Sequence, residues 1–176
     1  MRKLCVMLMA GLTALLGGCS GVPAGVQPVD DFQLQRYLGR WYEIARLDNR
    51  FERGLSRVTA EYSLNDDGSV KVVNRGFDAE KGKWRQSVGK AKFAGADDVG
   101  QLEVSFFGPF YASYIVVALD REHYDYALVS GYNKEYLWLL ARKPQLPQAT
   151  IDRLVAKARA AGFDTDKLLF VEQAAE

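Results

Sequence analysis

Gly39-Arg40-Trp41-Tyr42-Glu43-Ile44-Ala45-Arg46 opens the first strand-like run of the chain, after the short polar lead-in Asp31 to Leu38. Glycine ahead of tryptophan has a physical reading. Gly39 lets the backbone turn sharply or approach another segment closely. Trp41 then carries a large ring to one end of the fold, with one N–H in need of a partner. Taken alone, the triplet fits an ordinary strand with a core tryptophan equally well. Its surroundings decide.

From Gly39 onward, strand follows strand. Leu55 to Leu64 alternates, with Val58, Ala60, Tyr62 and Leu64 on one face and Arg57, Thr59, Glu61 and Ser63 on the other. Asn65-Asp66-Asp67-Gly68 reads as a hairpin turn, since Asp-Gly supplies the positive φ angles needed there. Ser69 to Phe77 returns, and Lys83 to Phe93 follows a polar turn. Gln101 to Phe107, Ala112 to Leu119, Tyr124 to Ser130 and Tyr136 to Arg142 bring the strands to eight, all joined by short connections. This order predicts a mostly β fold, an eight-stranded up-and-down antiparallel barrel, because closure removes exposed edges. The last three strands are apolar on both faces, so something must cover their outer side. Pro147 stands where a helix would start. Ile151, Leu154, Val155 and Ala158 make one apolar stripe, and Gly162 is placed to stop the helix. One flanking C-terminal α-helix is therefore expected, then a last short strand from Lys167 to Val171.

The N-terminus reads as targeting. Met1-Arg2-Lys3 is basic, and Leu4 to Leu16 is almost wholly apolar and too short to span a bilayer. Leu15-Leu16-Gly17-Gly18-Cys19-Ser20 resembles the bacterial lipobox, with Gly17 a slightly loose match. The resemblance implies cleavage before Cys19 and acylation of its thiol and new amino group. Ser20 at the second mature position implies the outer membrane. The expected organisation is a signal peptide over 1–18, a lipidated tether over 19–29, and a barrel domain with its helix over 30–176.

Composition narrows the chemistry. A net charge of +1 gives no field that points to nucleic acid. The two cysteines, Cys5 and Cys19, both lie in the first twenty residues, so a disulfide or cysteine metal site is not expected in the folded part. The single histidine, His123, excludes multi-His metal sites. No nucleophile elbow surrounds Ser105 or Ser130, and the paired aspartates sit in turns. No catalytic residue, metal or cofactor is expected.

These residues resemble the lipocalin family, in its bacterial outer-membrane branch. Gly39-x-Trp41 is similar to the family's first block. Leu139-Leu140-Ala141-Arg142 before Pro144 is similar to its third, which implies that Arg142 lies across Trp41 at the closed end of the barrel. The second block departs from the family pattern, with Arg121-Glu122-His123 in the turn. Arg36 to Arg46, Phe51 to Leu55 and Val104 to Tyr111 resemble the bacterial branch.

Lipocalins are themselves the usual example of an eight-stranded barrel that holds one ligand. The resemblance implies an apolar pocket for fatty acids, lysophospholipids or similar lipids, serving storage, transport or repair of membrane lipids. It also implies anchorage through the acylated N-terminus, with the barrel facing the periplasm. The candidate ligand-binding residues are Phe51, Tyr62, Phe77, Trp84, Val104, Phe106, Phe110, Tyr111, Tyr114, Tyr132 and Trp138. Gly39, Trp41 and Arg142 are the candidates for the closed end, and Cys19 for lipidation. Two other readings stay open: a lipocalin-fold enzyme such as a lipid isomerase or esterase, and a structural envelope lipoprotein with a filled barrel. A homodimer stays open as well.

Overall fold

The structure is a computed structural model that describes residues 21–173. The signal segment and Cys19 lie outside the described residues. A four-residue helix, α1 (Leu34–Tyr37), leads into β1 (Gly39–Leu47). Then come β2 (Leu55–Leu64), β3 (Val70–Asp78), β4 (Lys83–Phe93) and β5 (Gln101–Phe107). β6 (Phe110–Leu119), β7 (Tyr126–Ser130) and β8 (Leu137–Ala141) complete the ring, before α2 (Gln148–Ala160) and β9 (Leu168–Phe170).

Each of β2 to β8 pairs antiparallel with the next, and β1 pairs with both β8 and β2, which closes the eight-stranded barrel. β1 achieves this by dividing its second edge. Gly39 to Tyr42 pair with β2, and Ala45 to Leu47 pair with β9. A register shift between Glu43 and Ala45 marks the changeover. Gln173 seals the gap, its Nε2 donating to Glu43 O at 2.7 Å and Val58 O at 3.0 Å.

The apolar residues form two cores. One fills the closed end of the barrel and includes Phe32, Tyr37, Trp41, Tyr62, Val72 and Val129. The other lies outside the barrel wall, where Ile151, Leu154 and Ala158 of α2 pack on Ile44, Ile115, Val117 and Leu139. The doubly apolar strands are thus covered by the amphipathic helix, as their composition requires. α2 ends in a Schellman pattern: Gly162 has φ +85°, its N–H meets Arg159 O, and the N–H of Phe163 meets Ala158 O.

Three local features differ from the sequence reading. β7 begins at Tyr126 rather than Tyr124, because Tyr124 takes φ +59° in a turn and its N–H bonds to Asp120 O. α1 was read as lead-in, since one turn is too short to show a helical period. Residues 21–29, read as tether, are laid along the barrel. Val26 is buried, Gly21 N–H donates to Ser113 Oγ at 2.8 Å, and Val29 exchanges backbone bonds with Val116 and Gly100.

Candidate functional site

The closed end is built around Trp41, which has no exposed surface. Its indole N–H donates to Tyr37 O at 2.8 Å, using a carbonyl that the end of α1 leaves unpaired. The Arg142 guanidinium lies 3.9 Å from the Trp41 ring centroid. Its two terminal nitrogens donate to Arg40 O at 2.9 Å and Arg36 O at 2.7 Å. Gly39, at φ +93°, brings its backbone beside that guanidinium. The turn at Arg121-Glu122-His123 keeps a full set of contacts despite its unusual sequence. Arg36 donates to Arg121 O and Glu122 O, and Arg121 pairs with Asp30 and Asp31.

Above this floor lies a partly open cavity of about 100 Å³. Its walls are mostly apolar, with Val58, Val70, Val72, Ala91, Leu102 and Leu140 among them. Besides Thr59 and Asn74 in the wall, polar groups cluster at two places. Near the floor, Tyr114 Oη is 2.7 Å from Tyr37 Oη and 2.8 Å from Tyr62 Oη, a chain of three phenols. Burial raises the pKa of all three, so they stay protonated.

Toward the β1–β2 loop, the carboxyl groups of Glu43 and Glu52 both face the cavity. Glu52 Oε2 accepts from Trp138 Nε1 at 2.8 Å and from Asn49 Nδ2 at 2.7 Å. Glu43 Oε1 is 2.7 Å from Arg46 Nη1, in an ion pair with both side chains buried. Arg46 also donates to Glu52 O and Leu55 O, which fastens the loop over the barrel. Burial pushes the Glu43 carboxyl well above its ordinary 4.5, and the charge of Glu52 acts the same way against the opposing pull of Arg46.

Of the aromatic and apolar candidates, Tyr62, Val104, Phe106, Tyr114 and Trp138 line this cavity. The other six do not. Phe77 and Trp84 stack edge-on across β3 and β4, with Arg57 over both rings. Phe51 is 51% exposed on the β1–β2 loop, and Phe110 is 75% exposed at the start of β6. Tyr111 lines an outer groove under Lys92, and Tyr132 packs on Tyr136. For Phe77 and its cross-strand partner Trp84 the reason is strand parity: Val70, Val72 and Asn74 point inward, so Phe77 points out. The sequence reading missed Tyr37, Glu43, Glu52 and Asn74. Parity from Trp41 points Glu43 inward, so that signal was present. Glu52 and Tyr37 come from a loop and a one-turn helix, where no period applies.

A model of the lipocalin-like domain matches residues 32–173. The outer membrane lipoprotein Blc of Vibrio cholerae is 54% identical over 161 residues, covering 92% of this chain and 94% of that protein. The Blc protein of Escherichia coli is 49% identical over 175 residues and covers 98% of both chains. Apolipoprotein D of Mus musculus is 35% identical, over 90% of this chain and 84% of that protein. Among solved structures, insecticyanin of the tobacco hornworm Manduca sexta superposes with a TM-score of 0.69 over 88% of this chain and 87% of its own, at 21% identity, a likeness of fold. With its closed barrel, flanking helix and tryptophan-arginine floor, the chain belongs to the lipocalin family and is a near-full-length homologue of the bacterial outer-membrane lipoproteins, which places it at the outer membrane.

Proposed function

We propose that the barrel takes up the tail of a single-chain lipid, a fatty acid or lysophospholipid, and releases it unchanged, from an acylated anchor on the periplasmic face of the outer membrane. The observation that carries this reading is the cavity inside the barrel, whose wall is apolar on nearly every strand. Its polar groups set the orientation. A carboxylate or phosphate head drawn inside would meet Glu43 and Glu52, so the tail enters and the anionic head stays outside. Its size sets a second constraint. A cavity of about 100 Å³ is smaller than the engineered one of about 150 Å³ that accepts benzene. A long tail therefore needs the Arg46-fastened loop or the wall to yield.

The test is a titration of C8 to C18 fatty acids into the chain, followed by lipid analysis. Each CH2 moved from water contributes about 0.8 kcal/mol, less what immobilisation costs. Affinity should climb with chain length and then level off, with the acids recovered intact. A flat response across the series would remove the cavity as a tail site. A second reading has one observation behind it: two carboxyl groups, Glu43 and Glu52, face the cavity together, and burial raises the pKa of Glu43, as a general acid would need. Product formation that disappears in Glu43→Gln would bring an enzyme to the front.

A further inference from the structure

The barrel wall has a weak place of its own. β4 and β5 are paired from Lys90↔Ser105 to Phe93↔Leu102, although β4 starts at Lys83 and β5 runs on to Phe107. Beyond Lys90 the ladder between the two strands ends. Phe106 stands at that end, and its side chain lines both the interior cavity and a separate outer groove of about 490 Å³. Facing it is Gly89. A Cβ there would lie 2.8 Å from carbons of the Phe106 ring and from Ser105 O. One phenyl ring, laid on bare backbone, thus borders inside and outside together.

The groove carries the charge that the cavity lacks. Lys71 and Lys90 are directly opposite each other on β3 and β4 and both line it. Like charges so placed repel. Asp67 compensates Lys90 at 2.5 Å, but no carboxylate among the described residues pairs with Lys71. Ser105 stands opposite Lys90 on β5, next in the chain to Phe106, and lines the same groove. It is 7% exposed, and its buried hydroxyl has no hydrogen-bond partner. An orphaned donor in one cross-strand row with two ammonium groups, Lys90 next to it and Lys71 one strand further, is the chemistry of an oxyanion site. The carboxyl pair inside the barrel turns the same head group away from the loop end.

We propose that the end of the β4–β5 ladder is a side door for single-chain amphiphiles: the tail passes Phe106 into the cavity, and the anionic phosphate or carboxylate head rests in the outer groove on Lys71, Lys90 and Ser105. This rests on the cavity being a tail site, and the test separates the two ideas. Dodecyl phosphate, dodecanol and inorganic phosphate are titrated into the full chain, with tryptophan fluorescence as the readout because Trp138 lines the cavity. Both dodecyl probes should bind. Lys71→Glu should weaken dodecyl phosphate about tenfold and leave dodecanol unchanged, as expected for one charged contact. Ser105→Ala should act in the same direction and less strongly. Phe106→Leu, which keeps the site apolar, should speed association of both probes in stopped flow. Inorganic phosphate in roughly hundredfold excess should not displace dodecyl phosphate, since the tail supplies most of the affinity. If it does, the groove is a site for free phosphate and the tethered-head assignment fails. A Lys71→Glu chain that binds both dodecyl probes as before overturns the side door alone. An unaltered chain that does not bind dodecanol overturns the cavity reading itself.

Discussion

Trp41 is wholly buried, with its N–H on Tyr37 O and a guanidinium on its face. Trp41→Ala removes the ring, orphans that carbonyl and strips Arg142 of its platform, so a loss of about 3–5 kcal/mol is expected in denaturant unfolding. This residue and its partner were legible in the sequence because both belong to short motifs with a shared physical purpose. Glu43 shows the limit of such reading. Alternation points it inward, but nothing local says that Glu52 meets it there or that the register shift at Glu43/Ala45 precedes its partner Arg46. Its raised pKa has a consequence for stability. The folded chain holds the Glu43 proton at pH values where the unfolded chain has released it. Stability therefore falls as pH rises from about 4.5 toward the raised folded value. Glu43→Gln, which keeps the shape without titrating, should flatten that part of the stability–pH curve. An unchanged slope in the variant would place the pH dependence elsewhere.

At the scale of elements, the hydrophobic pattern located strands well wherever it alternated between clear turns. β2, β4 and β5 have the ends that alternation and turn residues indicate, since Asp-Gly and polar turns fix where pairing must stop. The helix was legible for the same reason, with Pro147 and Gly162 bracketing one apolar stripe. Ring position was less so. Phe77 and Trp84 are large and apolar, yet they pair across strands on the outer face, where Arg57 covers them. Size alone says nothing about which side of a barrel a ring takes. α2 matters because β6 to β8 have no polar face to offer water. Leu154→Ala, at a position 3% exposed against the outer wall, should cost about 2–5 kcal/mol in thermal or denaturant unfolding. A loss under about 1 kcal/mol would mean the wall is stable without its helix.

At the scale of the whole molecule, the N-terminal segment changes how the barrel is mounted. From Gly21 onward the chain is fastened to the wall of β6, beginning with the bond to Ser113. If Cys19 carries the acyl chains proposed above, Ser20 alone separates it in sequence from that point, and two residues reach at most about 7 Å. A link so short would act as a bracket: it would leave the body little freedom to roll, and it would present one flank of the cylinder to the bilayer for as long as the acyl chains stay in. The flank so presented would be β6, whose Tyr111 also lines the basic outer groove. β2 is four places round the ring and faces away. A fluorophore at Phe110 on β6 should be quenched strongly by nitroxide-labelled lipids, and one at Glu61 on β2 weakly. Equal quenching at both would mean that the segment peels off and lets the barrel swing; unequal quenching would make the anchor a device that decides which side of the cylinder meets incoming lipid.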